Sequence, residues 1–326
     1  MEKHKMNGIE ISTLADEIIS GRRLGRDDDL SFFIDCDLEE LGKGADRLRQ
    51  YFNKDQVDLC TIINGKSGKC GENCKFCAQS AHHNTSCDTY PLLDADRIIA
   101  EAKVNEAEGV SRFAIVTSGK SPSAADFEKI ISTYEQMRAE LKFGLCASLG
   151  FLTDEQFERL YKAGVRSYHN NIETSRRYFP SICTSHTFDD KIANIKRAKN
   201  AGFSVCSGGI IGMGETWEDR IDMAVTLSTL GISSIPINAL MPIPGTPFEK
   251  NRRLTEEEIL RTVAMFKYIN PVSDIRIAAG RALLGENGRK AFCFGASATI
   301  TGNMLTTTGS TIESDKKMLT EMGRSF

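Results

Sequence analysis

The chain has 326 residues, 40% hydrophobic and 26% charged, with 41 basic and 44 acidic side chains for a formal net charge of −3. That balance belongs to a folded domain. It excludes a disordered or collagen-like chain and argues against a general nucleic-acid or anionic-membrane binder. No apolar run approaches the roughly 18–20 residues that span a bilayer, and residues 1–23 are polar and mixed in charge, without the apolar centre of a secretory signal, so the cytoplasm is the expected compartment.

Residues 1–53 read as a helical extension, and residues 54–326 as one larger unit. In that unit short β-rich runs alternate with longer amphipathic stretches. The runs are 58–64, 112–118, 142–148, 166–172, 203–211, 234–240, 274–279 and 297–301. Helix starts are marked between them. Thr153 with Gln156 and Thr255 with Glu258 spell capping boxes, and Asp94, Ser123, Thr187 and Thr216 are further cap positions. Gly164 and Gly231 mark stops. About eight β-runs alternating with helices predict a TIM-type (β/α)8 barrel, an α/β fold whose chemistry sits at the C-terminal ends of its strands.

Ten cysteines are present, at 36, 60, 70, 74, 77, 87, 146, 183, 206 and 293. A chain of this size needs no disulfide staples, and in a reducing compartment metal binding, catalysis or core filling is the expected use. Residues 70–77 read CGENCKFC, three cysteines spaced C-x3-C-x2-C directly after the first predicted strand. Thiolates are the usual ligands of iron–sulfur clusters, and three of them leave the fourth iron of a [4Fe–4S] cube open. The rival is a structural zinc knuckle, which takes four ligands and usually recruits a second close pair. The later cysteines stand alone.

The triplet and the later GGIIGMGE (208–215) resemble the radical S-adenosylmethionine superfamily. Further blocks narrow the resemblance to the biotin synthases: GKCGENCKFCAQS (68–80), YHNNIETS (168–175), AGFSVCSGGIIGMGET (201–216), SIPINALMPIPGTP (234–247) and DIRIAAGR (274–281). The resemblance implies a [4Fe–4S] cluster on Cys70, Cys74 and Cys77 that binds and reductively cleaves S-adenosyl-L-methionine. It implies dethiobiotin as substrate and biotin as product, with sulfur supplied by an auxiliary iron–sulfur cluster inside the barrel. It also implies a reducing electron donor such as flavodoxin or ferredoxin, and a homodimer. A related radical enzyme of the hydrogenase-maturation or methylornithine type, acting on another small molecule, is the alternative. Cys146, Cys206 and Arg276 together favour sulfur insertion.

Cys146 and Cys206 align with auxiliary-cluster cysteines of the family and lie in predicted strands separated by one other; each alone reads equally as a small buried hydrophobe. Arg276 aligns with the family's arginine at that cluster, and is otherwise a barrel arginine paired to an acid such as Glu173. A further family cysteine has no counterpart here, since its position in RFAIVTSG is Ala114. Cys183, in FPSICTSH, is the expected replacement, giving an atypical [4Fe–4S] auxiliary cluster on Cys146, Cys183 and Cys206, with the ordinary [2Fe–2S] form as the alternative. Cys60 and Cys87 are weaker substitutes, and Cys36 and Cys293 read as packing residues.

The resemblance also implies cofactor contacts from Phe76, Thr117, Ser118, Glu173 and Ile210, and substrate contacts from Asn171, Asn238 and His169. A ureido ring both donates and accepts, which suits asparagine amides. An asparagine at 238 inside an apolar strand is costly unless paired. His169 reads equally as a satisfied core histidine, and His82 and His83 as a solvated loop.

Overall fold

The structure is a computed structural model describing residues 8–302 and 310–326. The first seven residues of the expected extension lie outside the described ones. Helix α1 (Gly8–Ile19), a 3-10 turn at Ser31–Ile34 and helix α2 (Leu38–Asn53) come first. The rest is β1 (Asp58–Lys66), α3 (Ala95–Ala107), β2 (Arg112–Thr117), α4 (Ala124–Glu140), β3 (Gly144–Ser148), α5 (Asp154–Lys162) and β4 (Ser167–His169). It continues through α6 (Phe179–Ile182), α7 (Phe188–Asn200), β5 (Ser204–Cys206), β6 (Gly209–Ile211), α8 (Trp217–Thr229) and β7 (Ser234–Ala239). It ends with α9 (Glu256–Ile269), β8 (Asp274–Ile277), α10 (Arg289–Cys293), β9 (Ala298–Ile300) and α11 (Ile312–Glu321).

Every ladder is parallel, running β5-β4-β3-β2-β1-β9-β8-β7-β6, and β5 also pairs with β7. The sheet therefore closes into the expected barrel. The run expected as one strand over 203–211 is a single stave broken into β5 and β6. The break falls at Ser207–Gly208, where the backbones crowd: a Cβ on Gly208 would sit 2.0 Å from the carbonyl oxygen of Pro236 on β7.

Sequence-local chemistry sets the helix starts. Thr153, Thr187, Thr216 and Thr255 all form complete capping boxes, and Ser123 accepts from the backbone N–H of Asp126. Asp94 holds its cap position without a side-chain hydrogen bond. Helices α1 and α2 cover the outside of the barrel at α9: the Tyr268 hydroxyl donates to the carbonyl of Ile11 at 3.2 Å, and Arg261 donates to the carbonyl of Cys36 at 2.8 Å. That cover buries α9 from Ile259 to Ile269 on all sides. Along the staves the side chains alternate, as the strand period requires. Leu59, Phe113, Ile115 and Leu145 face the helices, while Cys60, Ile62, Arg112, Ala114 and Cys146 face the barrel interior.

Candidate active site

A cavity of about 330 Å³ opens at the C-terminal end of the barrel, with Phe76, Cys77 and Gln79 at its mouth and Cys60, Cys146, Cys206 and Arg276 deep inside. Its floor is ionic. Arg276 reaches Asp58 at 2.5 Å, and Arg112 reaches the same carboxylate at 3.2 Å. Arg276 also donates to the carbonyl of Thr299 at 2.9 Å and to the hydroxyl of Ser234 at 3.2 Å. Its acid is thus Asp58 and not Glu173, because Asp58 starts β1, two staves round from β8, and both residues pair with Ala298 on the β9 stave between them. Burial alone would raise the Asp58 carboxyl, but Arg276 and Arg112 hold it below its ordinary range. Two guanidiniums against one carboxylate leave a buried excess of positive charge under three thiols.

The cysteine loop is held above the mouth by its own backbone. The N–H of Cys70 donates to the carbonyl of Gln79 at 3.0 Å, that of Ala81 to Cys70 at 2.8 Å, and that of Cys77 to Cys74 at 3.0 Å. Gly68 and Lys69 take positive φ to turn β1 into the loop. The Ser118 hydroxyl fastens it by donating to the carbonyl of Gly68 at 2.8 Å. His82 and His83, expected in a solvated loop, have ring nitrogens 3.0 Å from the carbonyls of Gly71 and Cys74 and fasten it from the other side. Burial pushes the Cys77 thiol up to about 11.

Cys183 does not lie with Cys146 and Cys206. Its sulfur is 3.7 Å from that of Cys74, on the cysteine loop. The loop after β4 folds back across residues 72–75 and is pinned there. Lys75 N–H donates to the carbonyl of Ile182 at 2.9 Å, the Asn73 side chain accepts from the N–H groups of Thr184 and Ser185 at 2.9 and 3.1 Å, and Glu72 pairs with His186. Among the described residues Cys74, Cys183 and His186 are the group whose ligand atoms lie within 4.8 Å of one another. Contact with Cys74 brings the Cys183 thiol down to about 3, and the same contact raises Cys74.

The other expected site residues divide. His169, Asn171, Glu173, Ile210, Asn238 and Phe76 line the cavity. The Nδ1 atom of His169 is 3.5 Å from the Cys206 sulfur, and burial lowers its pKa to about 4, so the ring is neutral at pH 7. Glu173 carries φ 70, an uncommon conformation for a non-glycine residue, fixed by backbone bonds to Gly208 and Ile210 at 3.1 and 2.8 Å. Asn171 accepts from the N–H of Gly208 at 3.0 Å. Asn238 spends its amide on the protein, donating to the carbonyl of Gly209 at 3.1 Å and accepting from Ala279 at 3.1 Å. The cost of burying it is met without a ligand. Thr117 ends β2 and Ser118 follows it, and neither is among the cavity-lining residues; Val116 is.

Neither set of three cysteines is drawn together as tightly as a single zinc ion requires. Zinc holds each sulfur at about 2.3 Å and so keeps its ligand atoms within about 4.6 Å of one another. Among the described residues neither Cys70, Cys74 and Cys77 nor Cys60, Cys146 and Cys206 converge that closely.

The model of the radical SAM superfamily matches residues 66–227, and that of the biotin and thiamin synthesis associated domain matches residues 236–325. The biotin synthase of Alkaliphilus metalliredigens is 56% identical over 97% of this chain and 99% of its own. The chain belongs to the biotin synthase family. The biotin synthase of Clostridium beijerinckii is likewise 56% identical, over 96% of this chain and 99% of its own. In fold the chain is similar to methylornithine synthase, with a TM-score of 0.84 at 20% identity over 96% of each chain. It is also similar to a maturase of the [FeFe]-hydrogenase, with a TM-score of 0.80 at 15% identity over 98% of this chain and 76% of that one. At those identities the structures speak for the barrel alone. Family membership brings a [4Fe–4S] cluster and S-adenosylmethionine, the chemistry of a radical, sulfur-inserting enzyme.

Cys60, named with Cys87 as a weaker substitute because it lies at the start of the first strand, lines the cavity together with Cys146 and Cys206. It is the third residue of β1, and its inward face follows from the registers with β2 and β9.

Proposed function

We propose that this chain converts dethiobiotin to biotin, and that the sulfur comes from a second iron–sulfur cluster inside the barrel, an atypical [4Fe–4S] with [2Fe–2S] as the alternative. The observation that carries the reading is the placement of Cys146 and Cys206 beneath the cysteine loop, above a floor with surplus positive charge that suits an anionic cluster. When bound, the loop cluster and S-adenosylmethionine supply the hydrogen-atom abstraction that unactivated carbons need, and the interior cluster supplies sulfur.

The residues divide the work. Cys70, Cys74 and Cys77 hold the first cluster, and Phe76 walls the cofactor side of the mouth. Glu173, with its backbone locked, presents its carboxylate to the cofactor ribose. Ile210 packs the same wall. Asn171 and the neutral His169 offer a carboxamide and an imidazole to the ureido ring, and Asn238 lines the pocket beside them while tying the start of β6 to the segment after β8. Thr117 and Ser118 hold the loop at the cofactor's methionine end. The barrel walls exclude water around both reacting carbons. A reducing donor of the flavodoxin or ferredoxin kind docks at the loop end. Among the described residues no helix is long and apolar enough to cross a membrane.

The test is an anaerobic single-turnover assay with reconstituted, reduced protein, S-adenosylmethionine and dethiobiotin. Biotin together with 5′-deoxyadenosine is the expected result. Deoxyadenosine without biotin, from protein with full iron and sulfide content, overturns the substrate assignment.

A further inference from the structure

We infer that Cys60, Cys146 and Cys206 are the three thiolate ligands of the interior cluster, with Arg276 closing the ring and Cys183 taking no part. This rests on the reading that a second cluster sits in the barrel. Three features of the interior lead to it.

The first is register. Cys60 on β1 pairs with Arg112 on β2, which pairs with Gly144 on β3; two residues further along β3 is Cys146. Cys146 pairs with Ser167, which pairs with Ser204; two residues on is Cys206. Cys206 pairs with Ser234, which pairs with Asp274; two residues on is Arg276. Arg276 pairs with Ala298, which pairs with Asp58; two residues on is Cys60 again. Four steps of two close the circuit with the shear of 8 that a (β/α)8 barrel has. The four side chains are therefore one interior layer, drawn from alternate staves, and all four line the cavity.

The second is what lies above and below. The same counting puts Arg112, Ser167, Ser234 and Ala298 in the layer beneath, and Ala114, His169, Pro236 and Ile300 in the layer above. The lower layer is a polar floor: Arg112 donates to Ser167 at 2.8 Å, and Arg276 to Ser234 at 3.2 Å. The upper layer has no thiol, and at Ala114 it is small, which leaves room above the sulfurs.

The third is charge. Arg276 and Arg112 share the single carboxylate of Asp58, so the layer of thiols faces an unbalanced buried cation. Thiolates around an iron–sulfur cluster balance it; neutral thiols do not. Arg276 keeps its bonds to Asp58 and Thr299 and meets the cluster as a hydrogen-bond donor. Cys183 has none of these relations, since it is fixed on the cysteine loop against Cys74.

The experiment starts from the Cys70→Ala/Cys74→Ala/Cys77→Ala protein, reconstituted anaerobically with iron and sulfide. Iron and sulfide per chain are counted and the Mössbauer spectrum recorded. This background is expected to keep about half of the wild-type iron. Adding Cys60→Ala is expected to remove most of what remains, and adding Cys183→Ala to leave it in place. Cys60→Ala with Ala114→Cys is expected to recover iron, because it returns a thiol to the cavity one stave over; that recovery separates ligand loss from misfolding. If the background holds no iron, the reading of an interior cluster itself fails. If it holds iron and Cys60→Ala keeps the same content and spectrum, the assignment of Cys60 alone is overturned.

Discussion

The two sets of three cysteines are built by opposite means. Cys70, Cys74 and Cys77 sit within eight residues, half-buried, on a loop shaped by local backbone hydrogen bonds and two positive-φ residues. Cys60, Cys146 and Cys206 come from three separate staves and are placed by sheet register, with Cys60 and Cys146 buried. The loop opens toward the mouth and is braced by His82, His83 and Ser118. The interior set has no such freedom, being anchored by the whole barrel. A short loop suffices to bring three thiols together at an open mouth, whereas three thiols set inside the barrel need the register of the whole sheet.

The sharpest way to break the comparison is to remove one set at a time. Replacing Cys74 by Ala is expected to abolish both S-adenosylmethionine cleavage and biotin formation, while interior iron persists; an iron count and a deoxyadenosine assay on one sample check it. Replacing Cys146 or Cys206 by Ala is expected to abolish biotin while cleavage continues, seen as deoxyadenosine released without product. If the two kinds of variant behave alike, the division of labour is wrong.

Smaller effects sharpen the account. Arg276→Met leaves Asp58 paired with Arg112 and takes away the excess guanidinium, so the expected loss is that of its charged hydrogen bonds to Thr299 and Ser234, about 1.5–3 kcal/mol; chemical denaturation of the cluster-free protein reads it. Gly209→Ala puts a Cβ 2.3 Å from the carbonyl oxygen of Glu173. Overpacking of that kind costs about 1–3 kcal/mol, and here it also shifts the Glu173 backbone, so a raised KM for S-adenosylmethionine accompanies the lost stability. Cys183→Ser keeps a small polar side chain toward His186 and Asn73, and its cost in the same denaturation experiment is expected at about 1 kcal/mol or less.

Much of the fold was legible because its signals are local. Thr153, Thr187, Thr216 and Thr255 cap helices through residues three positions on, and the cysteine loop is a spacing motif. The break at Gly208 was not legible, since it answers to a carbonyl on β7. The same holds for Arg276, whose acid is set by adjacency of β8, β9 and β1 around the closed sheet. The position of Cys183 after β4 pointed to the top of the barrel, where it lies, but not to the side to which Asn73 and Glu72 draw its loop. Asn238 lines the cavity as its sequence context suggested, but its partners Gly209 and Ala279 come from neighbouring staves and could not be read from PINAL.

The most direct test of the central claim is isotopic. Protein reconstituted with iron and ³⁴S-sulfide, freed of excess sulfide, reduced and given unlabelled S-adenosylmethionine and dethiobiotin for one turnover, is analysed by mass spectrometry. Biotin carrying ³⁴S, and lost with Cys146→Ala while deoxyadenosine still forms, is the predicted result. Unlabelled biotin formed at the wild-type rate would contradict a sulfur source inside the barrel.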